Sequence, residues 1–310
     1  MTTDTARPTL ADIEAAGTRI APHVRRTPAL RVAPGLALHL ESLQVAGSFK
    51  PRGAFNTLLQ LPRETLARGV ATASGGNHGM GVAYAARALG IQATIYVPAS
   101  TGDAKRAAIA GLGATVTVHG DVWDDADVAA RAHAEKHGLA YVHPFADPRV
   151  IAGQGTLGLD LLAATPNLTT VLVAIGGGGL AAGIALALKA RAPGIRLIGV
   201  EPEGAPTLHY SIAAGRPIRL DRITTVAGTL APRATDPLNF AIIREHFERV
   251  VLVPDEAMRE ASRHLWREAT IATELSGAAT VAALRTGAYA PAPGEQVVAI
   301  VCGAGSDGFG

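Results

Sequence analysis

One lysine stands apart from the other basic residues of this 310-residue chain. Lys50 lies in Gly47-Ser48-Phe49-Lys50-Pro51-Arg52-Gly53-Ala54, beside an aromatic residue and between flanking glycines. A primary amine on a flexible stem shifts its pKa readily when desolvated, and it can then condense with a carbonyl or act as a base. Phe49 can pack beside a flat ring, and the glycines let backbone approach closely. A lysine taken alone is ordinarily a solvated surface group. The segments that accompany Lys50 point elsewhere.

Three of them follow in order: Ser74-Gly75-Gly76-Asn77-His78-Gly79, then Gly176-Gly177-Gly178-Gly179-Leu180, then Val301-Cys302-Gly303-Ala304-Gly305. Each has a plain structural reading. Ser74 and Asn77 fall at a strand-to-helix junction, where either can cap the helix, and His78 fits a half-buried, hydrogen-bonded histidine. Four glycines after a buried strand make either a tight turn or an anion site, where backbone N–H groups meet a phosphate without an intervening Cβ. The same stretch approximates a dinucleotide fingerprint, since Gly177-x-Gly179-x-x-Ala182 is followed about twenty residues on by Glu201 at the end of a strand. That NAD-binding reading leaves Lys50, Asn77 and Cys302 unexplained. Cys302 itself ends an apolar strand, a common place for a small buried hydrophobe.

The four segments in this order resemble the fold-type II enzymes dependent on pyridoxal 5'-phosphate (PLP), which share the two-lobed α/β architecture of the tryptophan synthase β-subunit. The likeness is greatest to the serine/threonine dehydratases (threonine ammonia-lyases), with serine racemase a near relative, and it runs from about Glu41 to the last residues. Gly153-Gln154-Gly155-Thr156, Glu201-Pro202 and Thr273-Glu274-Leu275-Ser276-Gly277 also fall where that family has matching segments. The resemblance implies that Lys50 forms the Schiff base with PLP and serves as the base at the substrate Cα. It places Phe49 beside the cofactor ring, Asn77 on the ring hydroxyl oxygen, and Gly176, Gly177, Gly178, Gly179 and Leu180 around the phosphate. Ser74, Gly75, Asn77 and His78 then surround the substrate carboxylate. Glu274 lies either near the ring or simply at a helix start, where the macrodipole favours an acid.

Cys302 matches the position that faces the pyridine nitrogen. A neutral thiol cannot hold that nitrogen protonated as a carboxylate would, which suits loss of a β leaving group. The implied reaction takes L-threonine or L-serine to a 2-oxo acid and ammonia; a racemase, or a dehydratase for another β-hydroxy amino acid, is the alternative. Three departures from the family pattern stand out. Gly75 stands where the racemase has a serine that protonates the face opposite the lysine, so position 75 offers no acid of its own and elimination is favoured. In the family's metal site, Glu201 and Ala205 match two positions but Thr207 replaces an aspartate, so no metal is expected. Ala227-Gly228-Thr229 also replaces an Ala-Asp-Gly stretch.

The elements that must hold these residues follow from the rest of the chain. Val70 to Ala73, Ala93 to Val97, Ala114 to Val118, Thr169 to Ile175, Arg196 to Glu201, Val250 to Val253 and Val297 to Val301 read as buried strands. They alternate with helices over Gly79 to Leu89, Asp103 to Leu112, Asp124 to His137 and Asp255 to Glu268, the mark of βαβ units in parallel sheets. The expected division is a large lobe of residues 1–47 and 146–310, with residues 48–145 inserted as a small lobe; His143 to Pro148, with two prolines and an aspartate, marks the crossing. No appended regulatory domain is expected beyond Cys302.

Hydrophobic residues make up 48% of the chain and charged ones 17%, which fits a compact globular protein and not a disordered one. A net charge of +2, without basic runs interleaved with aromatics, gives nucleic-acid binding no support. One cysteine excludes an intrachain disulfide and suits a reducing cytoplasm. The first 26 residues lack a signal-peptide core, and Val171 to Leu188 is broken by five glycines, so neither export nor a membrane span is expected. The family expectation for assembly is a homodimer.

Overall fold

The computed structural model describes residues 6–306 and 308. The strands are β1 (Ala29–Ala33), β2 (Leu36–Leu40), β3 (Val70–Ala73), β4 (Ala93–Val97), β5 (Thr115–Val118), β6 (Ala140–Tyr141), β7 (Thr170–Ala174), β8 (Arg196–Pro202), β9 (Arg249–Val253) and β10 (Val297–Val301). The helices are α1 (Leu10–Ile20), α2 (Lys50–Leu58), α3 (Arg63–Arg68), α4 (Asn77–Ala88), α5 (Asp103–Gly111) and α6 (Trp123–His137). They continue with α7 (Pro148–Ala164), α8 (Gly179–Arg191), α9 (Thr207–Ala214), α10 (Pro237–His246), α11 (Asp255–Ala269) and α12 (Leu275–Thr286).

The strands form two sheets. Four make the smaller one in the order β5-β4-β3-β6, all parallel. Six make the larger one in the order β1-β2-β10-β7-β8-β9, parallel apart from the β1–β2 hairpin at its edge. A parallel strand covered by helices on both faces has no solvated side, so it reads as an unbroken apolar run. β3, β7 and β10 are such runs, buried at every residue. Each sheet has its own apolar core. Phe55, Leu58, Val82 and Ile109 from the helices pack around Val70 and Ile95 of the smaller sheet. Ile151, Ile184, Leu265 and Leu275 pack around Leu172, Ile198 and Ile300 of the larger one.

Local signals set the helix starts that matter most. Asp147 caps α7 by accepting the Arg149 N–H, with Pro148 in the first turn where its missing donor costs nothing. Asp236 and Pro237 repeat this arrangement at α10. The chain therefore leaves β6 of the smaller sheet, turns at residues 143–147, and enters α7, whose apolar residues join the core of the larger sheet. Among the described residues no helix is long and apolar enough to cross a membrane.

Candidate active site

A cavity of about 730 Å³ opens where the C-terminal ends of β3, β7 and β10 meet the helix starts that follow them. Phe49, Lys50, Ser74, Gly75, Asn77 and His78 line it together with Gly176, Gly177, Gly178, Gly179, Leu180, Glu274 and Cys302. Residues separated by more than two hundred positions in sequence thus share one space. In open α/β sheets, ligands bind in such crevices beyond the carboxyl ends of the strands.

Lys50 starts α2 and points into the cavity, where its Nζ donates to the Pro144 carbonyl at 2.9 Å. Burial lowers its pKa to about 8, overriding the opposing influence of Cys302 and Glu274. A fraction of the amine is therefore free near neutral pH. The Pro144 carbonyl is held in place by His143, whose Nδ1 accepts the N–H groups of Phe145 (3.1 Å) and Ala146 (2.8 Å). Burial lowers the pKa of His143 to about 4, so it remains a neutral acceptor at pH 7.

The glycine loop is built by close approach. A Cβ at Gly177 would overlap the Phe145 ring, lying 2.7 Å from its Cε1, and one at Gly179 would lie 2.6 Å from the Phe145 carbonyl oxygen. The loop carbonyls are tied back behind the cavity. Asn239 donates from Nδ2 to Gly177 O at 2.9 Å and to Phe145 O at 3.0 Å, and Thr235 Oγ1 donates to Gly177 O at 3.2 Å. The first helical bond of α8 runs from Ala182 N–H to Gly178 O at 2.8 Å, so the N–H groups of Gly179, Leu180 and Ala181 have no partner within the helix. A helix N-terminus with free N–H groups and no side chains in the way is a phosphate cradle.

Elsewhere on the cavity wall, Asn77 donates from Nδ2 to Glu274 Oε1 at 2.6 Å. Glu274 stands at the N-cap position of α12 without a side-chain capping bond and also accepts from Ser276 Oγ, while Thr229 Oγ1 donates to Ser276 Oγ at 2.6 Å. Thr229, in the stretch where this chain departs from the family pattern, therefore lines the site and is tied to it through Ser276 and, at 3.4 Å, Glu274. Cys302 is buried, its Sγ donating to Ser276 O at 3.6 Å, and burial pushes its pKa up so that it stays a neutral thiol. Ser74 Oγ accepts the Gly76 N–H at 3.2 Å and shapes the turn before α4.

His78 lines the cavity, but its imidazole turns inward. Its Nε2 lies 3.0 Å from Thr72 Oγ1 and 3.1 Å from Val142 O, which places the proton on Nε2. Burial and the nearby Lys50 charge hold its pKa well below the usual imidazole value. The satisfied buried histidine, one of the two sequence readings, describes this side chain.

Glu201 and Ala205 lie away from the cavity lining. Both Glu201 oxygens accept backbone N–H groups at the start of α9, from Leu208 and His209 at 2.8 Å each, and burial raises its pKa to about 8. Glu201 is fully buried and does not line the cavity, so it offers no acid to a ribose there, which removes the acid that the dinucleotide reading requires. Thr207 Oγ1 donates to Pro232 O at 2.9 Å, and among the described residues no group of three or more His, Cys, Asp or Glu side chains is arranged around a common point.

The amine of Lys50, the N–H cradle, a neutral thiol and a polar pair at Asn77 and Glu274 fit PLP. The comparison with known proteins agrees. The family model described as pyridoxal-phosphate dependent enzyme matches residues 20–303, and the chain belongs to that family. The L-threonine ammonia-lyase of Geobacter sulfurreducens is 40% identical over 279 residues, covering 88% of this chain and 69% of the relative. The phenylserine dehydratase of Ralstonia pickettii is 37% identical over 310 residues, covering 98% and 95%. Among solved structures, maize serine racemase superposes with a TM-score of 0.92 at 32% identity, covering 96% of this chain and 94% of that one. The processed threonine deaminase isoform 2 of Solanum lycopersicum gives 0.91 at 34% identity, covering 96% and 89%.

Proposed function

We propose that this chain is a PLP-dependent ammonia-lyase that takes L-threonine, L-serine or both to the 2-oxo acid and ammonia. The observation that carries the reading is the Lys50 amine, lowered to about 8 and set in one cavity with a neutral thiol at Cys302. When bound, PLP supplies the electron sink that lets a Cα–H bond ionise and a β-hydroxyl depart. The N–H groups at the start of α8 hold its phosphate, and Phe49 flanks its ring. Asn77, fixed by Glu274, reaches the ring hydroxyl, while Cys302 offers the ring nitrogen a thiol in place of a carboxylate. Ser74 and the N–H groups at the start of α4 bind the substrate carboxylate. Lys50 takes the Cα proton at Nζ and holds it. We assign residues 1–47 and 146–310 to the lobe that holds the phosphate, and residues 48–145 to the lobe that carries Lys50 and the carboxylate loop. A cytoplasmic homodimer completes the reading, and sedimentation of the purified protein tests the assembly.

A second reading, a dehydratase for bulkier β-hydroxy amino acids, rests on the apolar side chains of Val122, Trp123 and Ile223 on the cavity wall. The similarity to a phenylserine dehydratase points the same way. A panel of L-serine, L-threonine and phenylserine, assayed for 2-oxo acid release with chiral analysis of the remaining amino acid, tests both. Fastest turnover of serine or threonine supports the first reading and fastest turnover of phenylserine the second. Net racemisation that outruns release overturns both.

A further inference from the structure

Position 75 has no side chain, yet the space that a side chain would enter is filled. An ideal Cβ built on Gly75 would overlap Thr101 Oγ1 and lie 2.7 Å from Thr101 Cγ2 and 3.0 Å from Thr101 Cβ. Thr101 belongs to a different loop, between β4 and α5, and both residues line the cavity. The Thr101 N–H donates to Pro98 O at 3.0 Å, Ser100 Oγ donates to Asp121 O at 3.3 Å, and Arg106 reaches back to Ala99 O at 2.6 Å. The loop is thus pinned on three sides, and the threonine hydroxyl is presented over Gly75 by fixed backbone.

We infer that Thr101 is a substrate-contacting residue of this site, its hydroxyl standing where a side chain at position 75 would reach, and that positions 75 and 101 share a single side-chain space. The first half rests on the proposed amino-acid lyase reading. The second half is geometric and holds for the cofactor-free protein as well. A hydroxyl is both donor and acceptor, so at the edge of the carboxylate loop it can bond the bound amino acid directly.

Two measurements test this. In the holoenzyme, Thr101→Val keeps the volume and deletes the hydroxyl. It should weaken amino-acid binding, read as the absorbance change of the bound cofactor on titration, and lower kcat/KM about tenfold or more, as expected for one lost hydrogen bond. The thermal midpoint and cofactor content should stay as in the wild type. Unchanged binding and kcat/KM would overturn the contact. If the wild type releases no 2-oxo acid from any amino acid, the lyase reading fails, while the titration still judges whether Thr101 touches the ligand.

The second measurement is a thermal double-mutant cycle on the cofactor-free protein, with no activity readout. Gly75→Ser alone should lower the melting temperature by about 3–6 °C through overpacking. The same change with Thr101→Ala should recover most of that loss. Additive effects of the two substitutions would overturn the shared space.

Discussion

Two cations two residues apart on the first turn of α2 have opposite fates. At about 100° per residue, Lys50 and Arg52 face away from each other across the helix. Lys50 looks into the cavity, where its partner is a neutral carbonyl and its pKa falls to about 8. Arg52 is buried at 1% exposure and fully engaged. It grips both Glu41 oxygens at 2.8 Å, meets Asp160 at 2.8 Å, and donates to Thr156 at 3.0 Å. The pairing holds the Glu41 carboxyl at about 2 despite its burial. Arg52 thereby ties α2 to the chain after β2 and to α7, and so fixes where the first turn places Lys50. A charge with matched partners makes scaffold; an amine denied them stays reactive.

Exchanging these roles gives the largest expected effects. Lys50→Ala should reduce turnover by about 10⁴-fold or more, since it removes both the attachment point of PLP and the base, while urea unfolding shows no loss of stability. Arg52→Met should do the reverse at the first level. It leaves Glu41 buried without its counter-charge and should cost about 3–5 kcal/mol of unfolding free energy, with activity lost only as folded protein is lost. A stable Arg52→Met protein with normal activity would show that the ion-pair cluster is dispensable, and the contrast between the two cations would fail.

Cys302 extends the contrast to a neutral group of the same cavity, with an intermediate effect. Cys302→Ser keeps a small neutral group and should retain activity within about tenfold. Cys302→Asp buries a carboxylate where the thiol is 4% exposed, which is costly in itself, and it presents the ring nitrogen with a charge. Its activity should fall at least a hundredfold below that of the Ser variant. Equal activities would mean that residue 302 does not meet the cofactor ring.

The strands of the sheet centres were legible because burial leaves short runs rich in β-branched residues without polar alternation: Val70–Ala73, Ala93–Val97 and Val297–Val301 appear at the expected residues. The hairpin at the sheet edge was not. β1 is exposed at four of its five residues and carries no apolar alternation. α7 was likewise hidden, because Gly153, Gly155 and Gly158 weaken a helical pattern and make sense only once α2 and α8 press against them. The site shows the same divide. Lys50, Asn77, Cys302 and the glycine loop carry their chemistry in residue type and order. Thr101, Phe145, Thr235 and Asn239 act through a backbone carbonyl or a shared volume, properties that depend on loops brought together from distant parts of the chain. The missing side chain at Gly75 was visible in the sequence; the threonine that fills its place was not.

The smallest expected effect sharpens the comparison through pH. Lys50 has a folded pKa of about 8 against 10.5 for the free side chain. Between those values the unfolded chain binds more protons than the folded one, so this group makes stability rise with pH across that window. Below about 8 both states carry the proton, and the cost of burying the ammonium stands in full. Lys50→Met deletes the charge and keeps the apolar length. In the cofactor-free protein it should therefore be more stable than the wild type at pH 7. One pH unit corresponds to about 1.4 kcal/mol, and Lys50 is only half-buried at the cavity wall, so the gain is about 1–2 kcal/mol. The advantage should shrink steadily from pH 8 and vanish near 10.5, because the titrating groups that do not sense the Lys50 charge are common to both proteins and cancel in the difference. Parallel urea unfolding at pH 7, 8, 9 and 10 measures it. A difference that stays constant over that range would place the Lys50 pKa at its ordinary value, and the amine would then be no less solvated than a surface lysine.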